Sequence, residues 1–207
     1  MDFSKILMGH SRTTLQEAMN DLKKLDIDEK DFSFCSFVAD RCGGFVQRKN
    51  ELDWFEDLWY AIPDKYLYET YKNMLRETRW FDQSWLFHPT LVGRVMSLNR
   101  HDTVDNLDLK NLLAADGYLT VYCGYAKKTL HNDFWWTLSE EVAKWRGNTK
   151  AMFERKDEFC VVKGKVKPES IITYITSWGK EEIFVLNKNV VKRVKQGVFP
   201  YKQNVIK

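Results

Sequence analysis

Three short segments between Tyr118 and Val191 decide how this chain is read. They are Val121-Tyr122-Cys123-Gly124-Tyr125, Trp135-Trp136-Thr137-Leu138-Ser139 running into Glu140-Glu141-Val142-Ala143-Lys144-Trp145, and Trp178-Gly179-Lys180-Glu181-Glu182-Ile183-Phe184-Val185. Each joins an apolar, β-prone run to a polar or glycine position, the pattern by which a strand presents chemistry at its end. Around them, Phe159 to Val166, Ile171 to Ile175, Glu182 to Leu186 and Val190 to Val198 also read as strands. Ser139 to Trp145 reads as a helix, with Thr137 or Ser139 as its cap and two acids in its first turn, where negative charge suits the dipole.

Upstream of Gly117 the periodicity is helical. Thr13 or Thr14 can cap a helix through about Leu25, with Leu15, Ala18, Met19, Leu22 and Leu25 on one face. Phe32, Phe34, Phe37 and Val38 form a short aromatic segment that ends at the Gly43-Gly44 turn. Asn50 to Trp59 reads as a helix stopped by Pro63, and Asp64 starts another through Tyr68, Tyr71, Leu75 and Thr78. An aromatic cluster of Trp80, Phe81, Trp85 and Phe87 follows, and Thr90 to Leu98 and Val104 to Leu113 are further helical candidates. The fold class expected is therefore α+β, with a helical, aromatic-rich region over 1–116 and a β-rich region over 117–207, the two forming one compact unit.

Composition excludes several classes. Over 207 residues, 44% are hydrophobic and 29% charged, so disorder is not indicated. A net charge of +3 is too small to argue for nucleic acid by itself, although the residues after Glu182 are locally basic. That tail reads as a solvated surface, or as a weak anion-binding one. Cys35, Cys42, Cys123 and Cys160 contain no C-x-x-C pair, so a metal centre is not expected, and reduced thiols point to the cytoplasm. No apolar run approaches the ~18 residues of a membrane span, so no membrane partner is expected.

The order of the three segments resembles the ADP-ribosyltransferase family over about residues 118–191. Val121-Tyr122-Cys123-Gly124-Tyr125 stands where the family has a V-Y-R-G-Y strand. Trp135-Trp136-Thr137-Leu138 is similar to S-W-T-L, followed by Ala143-Lys144-Trp145 for an A-x-W-F-A phrase. Val166-Lys167-Pro168-Glu169-Ser170-Ile171-Ile172-Thr173-Tyr174 resembles V-x-K-x-D-I-x-A-Y, and Glu181-Glu182-Ile183-Phe184-Val185 resembles E-x-E-I-V-V.

This resemblance implies a mono-ADP-ribosyltransferase-like protein that takes NAD as substrate and modifies a protein target. By association it also suits a phage or mobile-element effector in the host cytoplasm. Glu182 would stabilise the oxocarbenium-like charge on the ribose, with Thr137 as the accompanying hydroxyl. Cys123, Gly124, Tyr125 and Trp136 would contact the cofactor, the glycine because no side chain keeps its backbone from the nicotinamide amide. Trp178 and Lys180 would face the target. Cys123 replaces the family's Arg or His, and Trp135 its first Ser. The alternative is therefore a catalytically inactive scaffold that binds a protein partner as an inhibitor-type module. Nucleic-acid binding through the basic tail and exposed aromatics is a third reading.

Overall fold

The computed structural model describes residues 15–42, 51–77, 84–98, 111–128, 134–177, 180–186 and 188–202. The chain divides into two compact units, Met1–Leu98 and Asn99–Lys207. The division falls ahead of Gly117, where the periodicity changes, because the segment before β1 is tied to the sheet. Asp116 pairs with Lys165 at 2.5 Å, and Leu113 packs on the β-sheet core.

The first unit is helical: α1 (Leu15–Lys23), α2 (Phe34–Arg41), α3 (Glu51–Leu58), α4 (Asp64–Glu77) and α5 (Pro89–Leu98). Ala18 and Leu22 are the buried pair of α1, one turn apart, while Leu15 remains exposed. The aromatic segment after Asp31 forms a helix from Phe34. Ser33 caps it by accepting from the Ser36 N–H, and Phe34, Phe37 and Val38 then fall on one buried face. Thr13, Thr14, Gly43, Gly44, Asn50, Thr78, Trp80, Phe81 and the stretch 104–110 lie outside the described residues. In α5, Arg94 ties two helix ends together. Its guanidinium donates to the carbonyls of Trp59 (3.1 Å), Tyr60 (3.3 Å) and Ile62 (2.7 Å), and to Asp64 Oδ1 at the start of α4 (3.0 and 2.5 Å).

The second unit is one six-stranded sheet with every neighbouring pair antiparallel, in the order β4-β5-β2-β1-β3-β6. Its strands are β1 (Leu119–Ala126), β2 (Trp135–Thr137), β3 (Glu158–Val166), β4 (Ile171–Ser177), β5 (Lys180–Val185) and β6 (Lys192–Pro200). One helix, α6 (Glu140–Phe153), lies on one face over β1, β2 and β3. Ser139 caps it through a bond from the Val142 N–H to its Oγ at 3.2 Å. It runs eight residues beyond Trp145, because Gly147 and Ala151 continue the small-residue face begun at Ala143.

Alternation sorts the strands cleanly. Leu119, Val121, Cys123 and Tyr125 join Trp136, Cys160, Val162, Ile183 and Val185 in the core on the face away from α6. Ala126, Phe159 and Val161 meet Ala143 and Ala151 on the other. The helix approaches very closely at two glycines. A Cβ on Gly124 would lie 1.8 Å from the Ala143 carbonyl oxygen, and one on Gly147 would lie 2.5 Å from the Phe159 ring.

Gly124→Ala forces α6 off the sheet, so its urea midpoint should fall by the equivalent of about 3 kcal/mol or more. Gly93→Ala is the matched control: a Cβ there meets nothing within 4 Å, and a mid-helix alanine should raise stability by roughly 0.5–1 kcal/mol. Equal effects from the two substitutions would refute the close-approach account.

Candidate functional site

The register of the sheet lines up one row of side chains on the face that carries α6. Ile175 is opposite Glu182, Glu182 opposite Thr137, Thr137 opposite Tyr122, Tyr122 opposite Lys163, and Lys163 opposite Lys195. Residues directly opposite in adjacent strands share a face, so Glu182 and Thr137 are side-chain neighbours. Thr137 is fully buried, and its Oγ1 accepts from the Ser139 N–H at 3.3 Å, which turns the chain out of β2 into α6.

Glu182 points inward, with 1% of its surface exposed, and meets a buried cation. Arg146, on the buried side of α6 with Ala143 and Gly147, donates through Nη2 to Glu182 Oε1 at 2.5 Å. The same guanidinium lies 4.0 Å from the centre of the Trp135 ring. Trp135 in turn stacks on Phe184, its cross-strand partner, with centroids 6.1 Å apart and planes 6° from parallel. The acid is thus held by a guanidinium, and the guanidinium is roofed by an indole.

The sequence-derived residues separate into two groups. Gly124, Thr137 and Glu182 lie on the α6 side of the sheet. Cys123, Tyr125 and Trp136 lie on the opposite side, within the apolar core. Burial, followed by the nearby Cys160, pushes the Tyr125 hydroxyl above its ordinary pKa, in keeping with a neutral core residue. The space left by the missing side chain of Gly124 is filled by the α6 backbone. Trp136 is 1% exposed, so its ring is a packing element. Lys180 opens β5, and Trp178 lies outside the described residues. Glu181, beside the buried acid, accepts from the Tyr174 hydroxyl at 2.8 Å.

Arg146 is the residue that reading the sequence missed. A signal was present: an arginine enclosed by Ala143, Gly147 and Ala151 sits near the small-residue face of a helix. A cation placed there needs an acid on the surface that the helix covers. In comparisons with known proteins, no family model, no curated protein and no solved structure matches this chain. Among the described residues, no helix is long and apolar enough to cross a membrane.

Arg146→Met leaves the Glu182 carboxylate buried without this guanidinium and should cost about 3–5 kcal/mol in urea unfolding. Adding Glu182→Met to the same chain should recover most of that loss, because two apolar side chains replace two desolvated charges. A double variant as unstable as the single one would show that the pair is not the unit described.

Proposed function

We propose that the chain is a non-catalytic, ADP-ribosyltransferase-like scaffold that binds a protein partner. The observation that carries this reading is the Arg146–Glu182 ion pair, sealed beneath Trp135. A carboxylate that stabilises positive charge on a ribose must face the sugar and keep its negative potential for it. Here that potential is spent on a guanidinium 2.5 Å away, and the group has almost no exposed surface.

The two residues that enclose it occupy informative places in the resemblance. Trp135 stands at the first Ser of S-W-T-L, and Arg146 stands at the Phe of A-x-W-F-A. Both positions have exchanged an ordinary family residue for one that sequesters the acid. Cys123, at the position of the family's Arg or His, lies on the far side of the sheet from Glu182. A thiol there supplies no permanent charge to a dinucleotide.

Support for a protein partner comes from the outer side of α6. Trp145, Met152 and Phe153 are 42%, 45% and 66% exposed, and spacings of seven and eight residues bring them to one side of the helix. Large apolar side chains grouped in this way are the kind that protein interfaces cover. The competing reading is an NAD-dependent mono-ADP-ribosyltransferase acting on a protein. It draws on one observation, the placement of Thr137 directly opposite Glu182.

Millimolar NAD should leave the melting temperature unchanged, whereas a ligand at a hundred times its Kd would add about 2.7 kcal/mol of stability, a rise of several degrees. Labelled NAD incubated with the chain and a cell lysate should label no protein. Label transfer that disappears in Glu182→Gln would replace the binding-module reading with the transferase.

A further inference from the structure

We propose that the outer edge of β6 is a docking strand for an extended acidic segment of a partner protein, which would continue the sheet beyond its sixth strand. The inference rests on the protein-binding reading and assigns that reading a surface and a partner chemistry. β6 stands last in the strand order and pairs with β3 along one side. Its nine residues, Lys192–Pro200, are exposed at 192–196, 198 and 200. In an antiparallel ladder alternate residues of an edge strand turn their N–H and C=O groups outward, where a further strand can pair with them.

The charge along this edge has one sign. β6 carries Lys192, Arg193 and Lys195 and no acid. The register then sets lysine against lysine, Lys165 opposite Lys192 and Lys163 opposite Lys195, on either side of the irregularity at Lys163/Gly164. That irregularity inserts Val194 and leaves Lys192 and Lys195 on the same face of the sheet. Like charges directly opposite one another destabilise a strand pair, and here two such pairs are adjacent.

Lys165 has Asp116 as its counter-ion, and Lys163 lies 5.8 Å from the centre of the Tyr122 ring. Among the described residues, no carboxylate lies within ion-pair distance of Lys192 or Lys195. A strand carrying acids at alternate positions would bring them alongside those two ammonium groups while its backbone pairs with β6. The exposed Val194 and Val198, 53% and 48% open, would give its intervening residues apolar contact.

Other occupants fit less well. A second copy of β6 would set lysine and arginine against lysine and arginine. A single-stranded nucleic acid would use the cations but leave the backbone edge unpaired. Lysine also guards sheet edges against aggregation. Edge protection calls for charge on the edge strand itself, not for a like charge opposite it on the neighbouring strand, where it costs stability.

The test uses the full chain and three fluorescein-labelled probes: a peptide of alternating Glu and Thr matched in length to β6, the corresponding Lys–Thr peptide, and an oligo-dT of similar length. Fluorescence anisotropy should show the acidic peptide binding at low salt and weakening as salt rises. Lys192→Glu combined with Lys195→Glu, two exposed positions, should lower its affinity roughly tenfold or more, while the melting temperature rises rather than falls because two like-charge cross-strand pairs become opposite-charge pairs. Hydrogen exchange should slow across 192–200 when the peptide is bound. The assignment is overturned if the acidic peptide does not bind, if the Lys–Thr peptide binds as well, if oligo-dT binds more tightly, or if β6 exchange is unchanged in the complex. A chain indifferent to both NAD and the acidic peptide loses only this edge assignment. A chain that transfers label from NAD loses the binding-module reading, and the peptide result then stands by itself.

Discussion

The second unit depends on how closely a helix backbone can lie against a sheet. Between Gly124 on β1 and the Ala143–Gly147 turn of α6 there is no room for a single methyl group. Two glycines and two alanines make that approach possible, and the resulting height of the helix determines what its other side chains can touch. At this height Arg146 reaches Glu182 directly. The ion pair is therefore a product of the close contact as much as of the two charges that form it.

A pair so placed carries an energetic tension. Both ions have left water, and their attraction offsets that loss only when the geometry is good and the surroundings are ordered. The stack of Phe184, Trp135 and the guanidinium provides that order, since each plane restricts the next. The arrangement is costly to break from one side, which suits a fixed structural element. It suits a catalytic acid poorly, because such a group must exchange its partner for a substrate.

The helical unit solves a different problem by similar means. Helix ends leave carbonyls without intrahelical donors. One guanidinium, Arg94, collects the carbonyls of Trp59, Tyr60 and Ile62, the first of which also accepts from the Ile62 N–H, and bridges to Asp64 at the next helix start. Tyr66 does the same on a smaller scale. Its hydroxyl donates to the Ile27 carbonyl at 2.6 Å and accepts from the Ile27 N–H at 2.9 Å, pinning the connection after α1. In the sheet unit Asn148 plays the matching part, exchanging two hydrogen bonds with the backbone of Lys202 and holding the chain beyond β6 against α6. Both units thus use planar polar side chains to tie down backbone groups where their elements end.

The α+β class, the change from helical to strand periodicity near Gly117, and the strands around Tyr122, Val162, Ile172, Phe184 and Val194 are legible in the residues alone. These follow from local patterns, in which apolar spacing and β-branched or aromatic content act over a few residues. Trp135 and Trp136 fall on opposite faces for the same local reason, since adjacent strand residues must diverge. The residues alone do not show that Phe34 to Arg41 is a helix, because a short run of aromatics suits either period and the Ser33 cap is easily passed over. Which face α6 covers, the placing of Cys123 away from Glu182, and the closing of Arg146 over the acid emerge with the packed fold. Those outcomes depend on strand order and on the height of a helix above a sheet, and both are set by contacts between residues tens of positions apart, beyond the reach of any local pattern.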